Sequence, residues 1–189
     1  MVPNVPADQF EVMAAAMGLL NPQEMDDLIA YCDEKGSTGT LTGGVNETNY
    51  RRSHVAWVRM EDGYEWLYQR VAKAAQGFNE RFFGVEITGI EQALQVARYD
   101  ADTKGGYEWH TDFGMDQQTR KLGISVQLSD PDTYEGGALE FDVSTEPTLG
   151  PRERGMVIGF PSYVRHRVAP VTKGARYSLV AWIHGPRWR

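Results

Sequence analysis

The chain has 189 residues, 41% of them hydrophobic and 24% charged, with a formal net charge of −7. That length suits one domain able to bury a core without staples, and the composition excludes a disordered or fibrous protein. The charge is uneven: residues 1 to 50 hold eight acids against the single base Lys35, and the remainder is balanced, which leaves no broad basic footprint for nucleic acid or an anionic membrane.

The one cysteine, Cys32, can form neither an internal disulfide nor a thiolate zinc site. It reads as a small buried side chain, and any metal must rely on His and carboxylate. The first ten residues hold no basic stretch followed by an apolar run, and no apolar stretch approaches the ~20 residues that span a bilayer. The expectation is a cytoplasmic protein with neither a membrane nor a nucleic-acid partner.

The first predicted element is a helix opening at Asn21-Pro22-Gln23-Glu24, with Asn21 as cap and Glu24 reaching back to it. Met25, Leu28, Ile29 and Cys32 form its apolar face, and Gly36 ends it. Residues 36 to 49 are rich in Gly, Thr, Ser and Asn and read as a long surface loop, either a substrate lid or plain disorder. Arg51, Arg52 and Trp57 follow it and read as a solvated face with a core tryptophan, the alternative being a substrate entrance. A second helix is expected from about Asp62 to Phe82, with Trp66, Leu67, Val71, Ala74, Ala75, Phe78 and Phe82 on one side. Residues 1 to 84 thus read as a helical scaffold with a substrate-side loop, within a single domain spanning 1 to 189.

After Gly84 short β-rich runs follow: Gln92 to Tyr99, Tyr107 to His110, Leu122 to Leu128, Ala138 to Val143, Met156 to Phe160, Arg165 to Val168 and Tyr177 to Ile183. Turn chemistry separates them at Gly105-Gly106, Ser129-Asp130-Pro131, Gly136-Gly137, Gly150-Pro151 and Lys173-Gly174. Residues 85 to 189 therefore read as an all-β barrel or sandwich.

His110-Thr111-Asp112 sets an imidazole and a carboxylate two residues apart, which in a strand is one face. Some His-x-Asp arises by chance in roughly one such sequence in four, so the pair needs company. His166, in Val164-Arg165-His166-Arg167-Val168, completes two histidines and one carboxylate, a triad that leaves positions open on iron(II). Ten residues on, Arg176 opens the apolar run Tyr177-Ser178-Leu179-Val180-Ala181-Trp182-Ile183. A guanidinium there is costly to bury unless it meets an anion, and its fork matches a carboxylate.

His110-x-Asp112, His166 and Arg176 together resemble the iron(II) and 2-oxoglutarate-dependent dioxygenases of the prolyl 4-hydroxylase catalytic-domain type. Gln95-Val96-Ala97-Arg98-Tyr99, Gly106-Tyr107, Leu128-Ser129-Asp130, Tyr134-Glu135-Gly136-Gly137-Ala138-Leu139, Leu19-Leu20-Asn21-Pro22-Gln23-Glu24 and Arg51-Arg52-Ser53 are similar to that family too, so the likeness covers nearly the whole chain. It implies a mainly β protein with N-terminal helices, a double-stranded β-helix or cupin-like jelly roll. It implies Fe(II) on His110, Asp112 and His166, and 2-oxoglutarate and O2 as cosubstrates with ascorbate as a reductant. It places 2-oxoglutarate against Arg176, Tyr99 and Gln127, and the substrate against Trp182, Arg120 and Tyr107. Gln127 departs from the pattern, standing where prolyl hydroxylases often carry an aromatic residue.

The implied reaction hydroxylates a C–H bond, first choice a prolyl residue in a peptide or protein and otherwise a free amino acid or small metabolite, with release of succinate and CO2. Halogenating relatives lack the carboxylate ligand, so Asp112 argues for hydroxylation. A zinc hydrolase on the same three ligands has no evident need for Arg176, and a non-catalytic barrel has no need for a complete triad. His54 and His184 read as ordinary polar residues, Asp116, Asp130 and Asp132 as turn formers, and Trp188 as packing on the barrel end.

Overall fold

The computed structural model describes residues 11–38 and 50–188. In chain order the elements begin with β1 (Ala14–Ala16), α1 (Pro22–Lys35), β2 (Ser37–Thr38), β3 (Arg51–Arg52), β4 (His54–Val58) and α2 (Glu65–Phe78). Then come β5 (Leu94–Asp100), β6 (Gly106–His110), β7 (Arg120–Gln127), β8 (Glu135–Gly136), β9 (Leu139–Phe141) and β10 (Thr148–Leu149). The chain closes with β11 (Val157–Pro161), β12 (His166–Val168), β13 (Val171–Lys173) and β14 (Ala175–His184). No helix among the described residues is long and apolar enough to cross a membrane.

The two helices show why these sequences stop and start where they do. At the head of α1 the Asn21 side chain accepts from Glu24 N at 2.9 Å while Glu24 Oε2 accepts from Asn21 N at 2.9 Å, closing the expected capping box. At its foot Gly36 N–H donates to Cys32 O at 2.8 Å, and a Cβ at Gly36 would stand 2.4 Å from that oxygen. The second helix differs from its prediction at both ends. A 3-10 turn at Met60–Asp62 and Gly63 at φ 89°, a left-handed conformation, delay α2 to Glu65. Past Phe78 the chain opens into a π-helical turn, Asn79–Phe83, closed by Gly84 at φ 60°. Arg70 of α2 pairs with Glu24 of α1 at 2.8 Å, joining the helices.

The strands form an antiparallel seven-stranded sheet, ordered β1-β11-β7-β14-β5-β4-β2, and a five-stranded sheet, ordered β10-β9-β12-β6-β3. The expected mainly β jelly roll is what the chain adopts, a double-stranded β-helix with the helices on one side. Alternation along the long strands decides what faces where. Leu94 and Val96 of β5, Leu122, Ile124 and Val126 of β7, and Leu179, Ala181 and Ile183 of β14 turn to Leu67, Val71, Ala75 and Phe78 of α2 in one buried core. The intervening residues, Gln95, Tyr99, Ser125, Arg176, Ser178, Val180 and Trp182, turn the other way and line a cavity against the five-stranded sheet. Covering the large sheet with helices thus leaves its opposite face free for polar chemistry.

The first 84 residues are not only a helical scaffold: they supply β1 and β2 to the two ends of the large sheet, β4 next to β2, and β3 to the edge of the small one. Of the expected lid, Ser37–Thr38 pair with β4 as β2, and the stretch 39–49 lies outside the described residues.

Candidate active site

The small sheet brings His110, Asp112 and His166 together. In the antiparallel pairing of β12 with β6, His166 lies opposite His110, with ring centroids 4.3 Å apart. Asp112 follows two residues after His110, and its Oδ2 is 3.9 Å from His166 Nε2. One ligand atom from each of the three lies within 4.8 Å of the others.

Both imidazoles are held by backbone. His110 Nδ1 is 2.7 Å from Glu108 O and His166 Nδ1 is 2.9 Å from Val164 O. A carbonyl only accepts, so each Nδ1 carries the proton and each Nε2 keeps its lone pair for the centre of the cluster. Burial, and after it the neighbouring His166, pushes His110 down to about 3, so it stays neutral and ready to ligate at physiological pH. The Tyr107 ring stacks on His110 at 3.6 Å, and its own phenol is pushed up to about 12 by burial. The approach of β7 to Asp112 is so close that a Cβ at Gly123 would meet Asp112 Oδ2 at 2.7 Å and Phe160 at 2.6 Å. Glycine is what fits there.

The same cavity ends at Arg176, 1% exposed. Its Nη2 donates to Gln127 Oε1 at 2.9 Å, while Nε and Nη1 are buried with no hydrogen-bond partner. Tyr99, its cross-strand neighbour, stands with its ring centre 5.7 Å from the guanidinium, and Tyr134 flanks it. Two buried, unspent donors on a permanent cation are what a carboxylate would satisfy through a bidentate pair. The two donors fit the far carboxylate of 2-oxoglutarate, and the three ligands at the other end fit iron(II). Gln127 does not line the cavity: it stands behind Arg176, tied by its amide to Pro151 O at 2.9 Å, and so orients the guanidinium.

Outward from the triad the cavity widens to a mouth of 490 Å3, lined among others by Arg51, Trp57, Tyr107, Arg120 and Trp182. Trp182 and Arg120 were expected on the substrate side, and they meet there with the guanidinium 3.8 Å from the indole centre. A register shift between Ile183 and His184 leaves Lys121 without a partner on β14, so that Arg120, rather than Lys121, comes to the cavity face. Lys121 lies over Trp188 instead, at the barrel end where that tryptophan was expected to pack.

Two expectations give way here. Trp57 is not a core residue but 47% exposed, because its register partner on β5 is Gln95, a cavity-facing position. Arg51 is not on a solvated face: it is buried, donating to Ser53 Oγ at 2.9 Å and to Gln95 Oε1 at 2.7 Å. Alternation along β5 from Tyr99 back to Gln95 was the signal that could have placed both. His184 is buried and bonded to Thr119 at 2.9 Å, and His54 is on the surface near Asp100, so neither reaches the triad. Asp130 caps its turn by accepting from Asp132 N, and Asp116 sits in an exposed turn.

Comparison with known proteins agrees with this geometry. Residues 94–184 match the family model of the 2OG-Fe(II) oxygenase superfamily. A PKHD-type hydroxylase of Synechococcus sp. (strain JA-2-3B'a(2-13)) is 33% identical over 174 residues, which cover 88% of this chain and 74% of the relative. Another, from Thermosynechococcus vestitus, is 32% identical over 130 residues, 66% of this chain and 57% of the relative. The chain belongs to the 2OG-Fe(II) oxygenase superfamily, and the relatives it matches there are PKHD-type hydroxylases. Iron(II), 2-oxoglutarate and O2 are what this family uses, and a His-Asp-His cluster is the donor set that suits the metal. The fold is shared with the prolyl hydroxylase of Trichoplax adhaerens, solved in complex with a hypoxia inducible factor oxygen degradation domain peptide fragment, at a TM-score of 0.75 and 20% identity over 92% of this chain and 84% of that one. The chain spans about half the length of the first curated relatives it matches.

Proposed function

We propose that this chain hydroxylates a C–H bond of a prolyl residue in a peptide or protein, consuming 2-oxoglutarate and O2 and releasing succinate and CO2. In this reading His110, Asp112 and His166 hold iron(II), and Arg176 grips the far carboxylate of 2-oxoglutarate with Tyr99 beside it and Gln127 behind. Trp182, Arg120 and Tyr107 face the substrate. The observation that carries the proposal is Arg176: a fully buried cation with two unspent donors, at one end of a cavity whose other end is the His-Asp-His cluster. A zinc hydrolase has no use for that cation, and a cosubstrate with a carboxylate at each end does.

Iron at that position supplies, with the two cosubstrates, the oxidising power needed to turn C–H into C–OH. The protein's own part is positional. The carbonyls of Glu108 and Val164 fix the imidazole protons away from the metal, Gly123 lets β7 close on Asp112, and Phe160 and Leu139 line an apolar wall beside the triad. The mouth volume lies in the range of small-ligand and peptide-anchoring sites, and the exposed Trp57 beside Trp182, rings 6.4 Å apart, offers an apolar lip for a ring such as proline's. A relative in fold that holds a peptide supports the same choice.

The test is to load the protein anaerobically with iron(II) and 2-oxoglutarate, then admit oxygen with a proline-rich peptide library. Succinate and a peptide heavier by one oxygen are expected. Succinate without any peptide modification would move the substrate to a small molecule, and peptide cleavage with zinc would overturn the reaction class.

A further inference from the structure

The three buried arginines of the cavity and its mouth share one peculiarity. Each is paired with a glutamine oxygen where a carboxylate would neutralise it: Arg176 with Gln127 at 2.9 Å, Arg51 with Gln95 at 2.7 Å, and Arg120 with Gln92 through Nε at 3.0 Å and Nη2 at 2.6 Å. For Arg176 the missing anion is accounted for by 2-oxoglutarate. Arg51 and Arg120 are 9% and 8% exposed and both line the mouth, and among the described residues neither forms an ion pair. Burial pulls Arg120 below its ordinary value, as it does Arg176. Among the described residues the acids lining the mouth are Asp112, which belongs to the triad, and Asp116, exposed at the outer lip.

Two cations held out of water by neutral partners at one mouth are an arrangement that leaves an anion wanted. Rings surround them: Arg51 lies over Tyr107 at 4.8 Å, Arg120 over Trp182 at 3.8 Å, with Trp57 beyond. We infer that the mouth takes a substrate whose target residue stands next to a carboxylate, bound by Arg51 and Arg120 while the apolar part lies against the tryptophans. This rests on the prolyl reading above for what the target residue is. A carboxylate beside a prolyl ring can be an acidic side chain on the next residue or the chain's own C-terminus.

The experiment is peptide binding to protein carrying iron(II) and 2-oxoglutarate without oxygen, followed by tryptophan emission, so that no turnover enters the reading. Pro-Glu is compared with Pro-Gln in C-terminally amidated peptides, and a C-terminal proline acid with its amide. The expected result is that one acid of the two pairs binds about tenfold or more tighter than its neutral partner, since charge-assisted bidentate bonds are the strong kind. Which pair responds tells side chain from terminus. The preference should shrink with added salt and vanish in Arg51→Gln. Because Arg51→Gln could disturb folding, Gln95→Glu is the second variant: it keeps the side chain's shape, hands Arg51 an internal carboxylate, and should also erase the preference. Equal binding of acid and neutral peptides to the parent protein, or a preference that survives both variants, overturns the inference.

Oxygen is then admitted to the same mixtures. Succinate from acid and neutral peptides alike, bound equally, keeps the prolyl reading and removes the carboxylate. Alanine-for-proline peptides that keep the acid preference but give no coupled product leave the carboxylate subsite standing and remove the prolyl target only if the proline peptides give none either.

Discussion

The two ends of the cavity are built from different material. The closed end, around Arg176, hangs on β5, β7 and β14, long strands paired over six or seven positions and packed behind by α2. The open end, around Arg51 and Trp57, adds to Gln95, Arg120 and Trp182 of those strands a two-residue strand, one five-residue strand and the turn that follows Asp112. The buried cation thus sits on long strands backed by a helix, and the lip beside Trp57 stands on short edges that can be rebuilt without disturbing the core.

The largest effect is expected at the triad, where the two ends meet. Asp112→Ala or His166→Ala should cost well over the ~100-fold in iron affinity that even an indirect partner of a metal ligand is worth. Turnover should fall to background, as read by metal content after dialysis and by succinate. Retention of stoichiometric iron by either variant would break the assignment. Next comes Arg176→Ala, which should keep iron and weaken 2-oxoglutarate by about 2–4 kcal/mol, on the order of 30- to 1000-fold, because it removes a buried partner of a charged ligand. An unchanged cosubstrate titration would take Arg176 out of the proposal. Arg176→Met should at the same time raise the stability of the cosubstrate-free protein, by about 1–4 kcal/mol, since an unpaired buried cation is replaced by an apolar side chain. A loss of stability in that variant would mean that the closed end is held by Arg176 rather than merely tolerating it.

Ligand binding should sharpen the same contrast. Manganese(II) with 2-oxoglutarate, each near a hundredfold above its dissociation constant, should add about 2.7 kcal/mol per site, a rise in Tm of about 5–10 °C for each ligand. In hydrogen exchange the protection should concentrate on β5, β7, β12 and β14 and leave β3 unchanged. Equal protection at both ends would dissolve the distinction drawn between them.

The closed end was readable in the sequence and the open end was not, for a reason that the strands make plain. Val96, Ile124 and Leu179 alternate with Gln95, Ser125 and Ser178 over runs long enough to show a period, and His110, Asp112 and Arg176 carry chemistry that few other roles explain. Two- and three-residue strands such as β1, β2 and β3 hold no period at all, so the first 84 residues showed their helices and hid their strands. Trp57 looked like core because tryptophan usually is; only pairing with Gln95, a contact between strands 38 positions apart in the sequence, turns it to the mouth. The register shift beside Ile183 was equally invisible, and without it Lys121 would have been the residue facing Trp182.

A smaller effect tests the joint between the ends. Gly123→Ala puts a methyl where Asp112 Oδ2 and Phe160 already stand, 2.7 and 2.6 Å from the new carbon. Overpacking of this kind costs about 1–3 kcal/mol, and part of it should appear as weaker iron binding because the atom displaced is a carboxylate oxygen of the triad. Chemical denaturation and metal titration separate the two shares. A variant that loses stability with iron affinity intact would show that Phe160, and not Asp112, gives way.

The smallest stability change is expected at Trp57, and that is its use. Nearly half exposed on a short strand, it should tolerate Trp57→Ala within about 0.5 kcal/mol, since surface side chains away from cores and caps rarely carry more. Its ring nevertheless stands 6.4 Å from that of Trp182 over the mouth, so the peptide KM should rise several-fold while kcat and the 2-oxoglutarate requirement stay put, the signature of binding shared by ground and transition states. Trp57→Phe should restore most of the loss by returning an apolar face to the lip. If kcat falls along with the rise in KM, the strand acts on the triad through Gln95 and Arg51, and the two ends of the cavity are coupled after all.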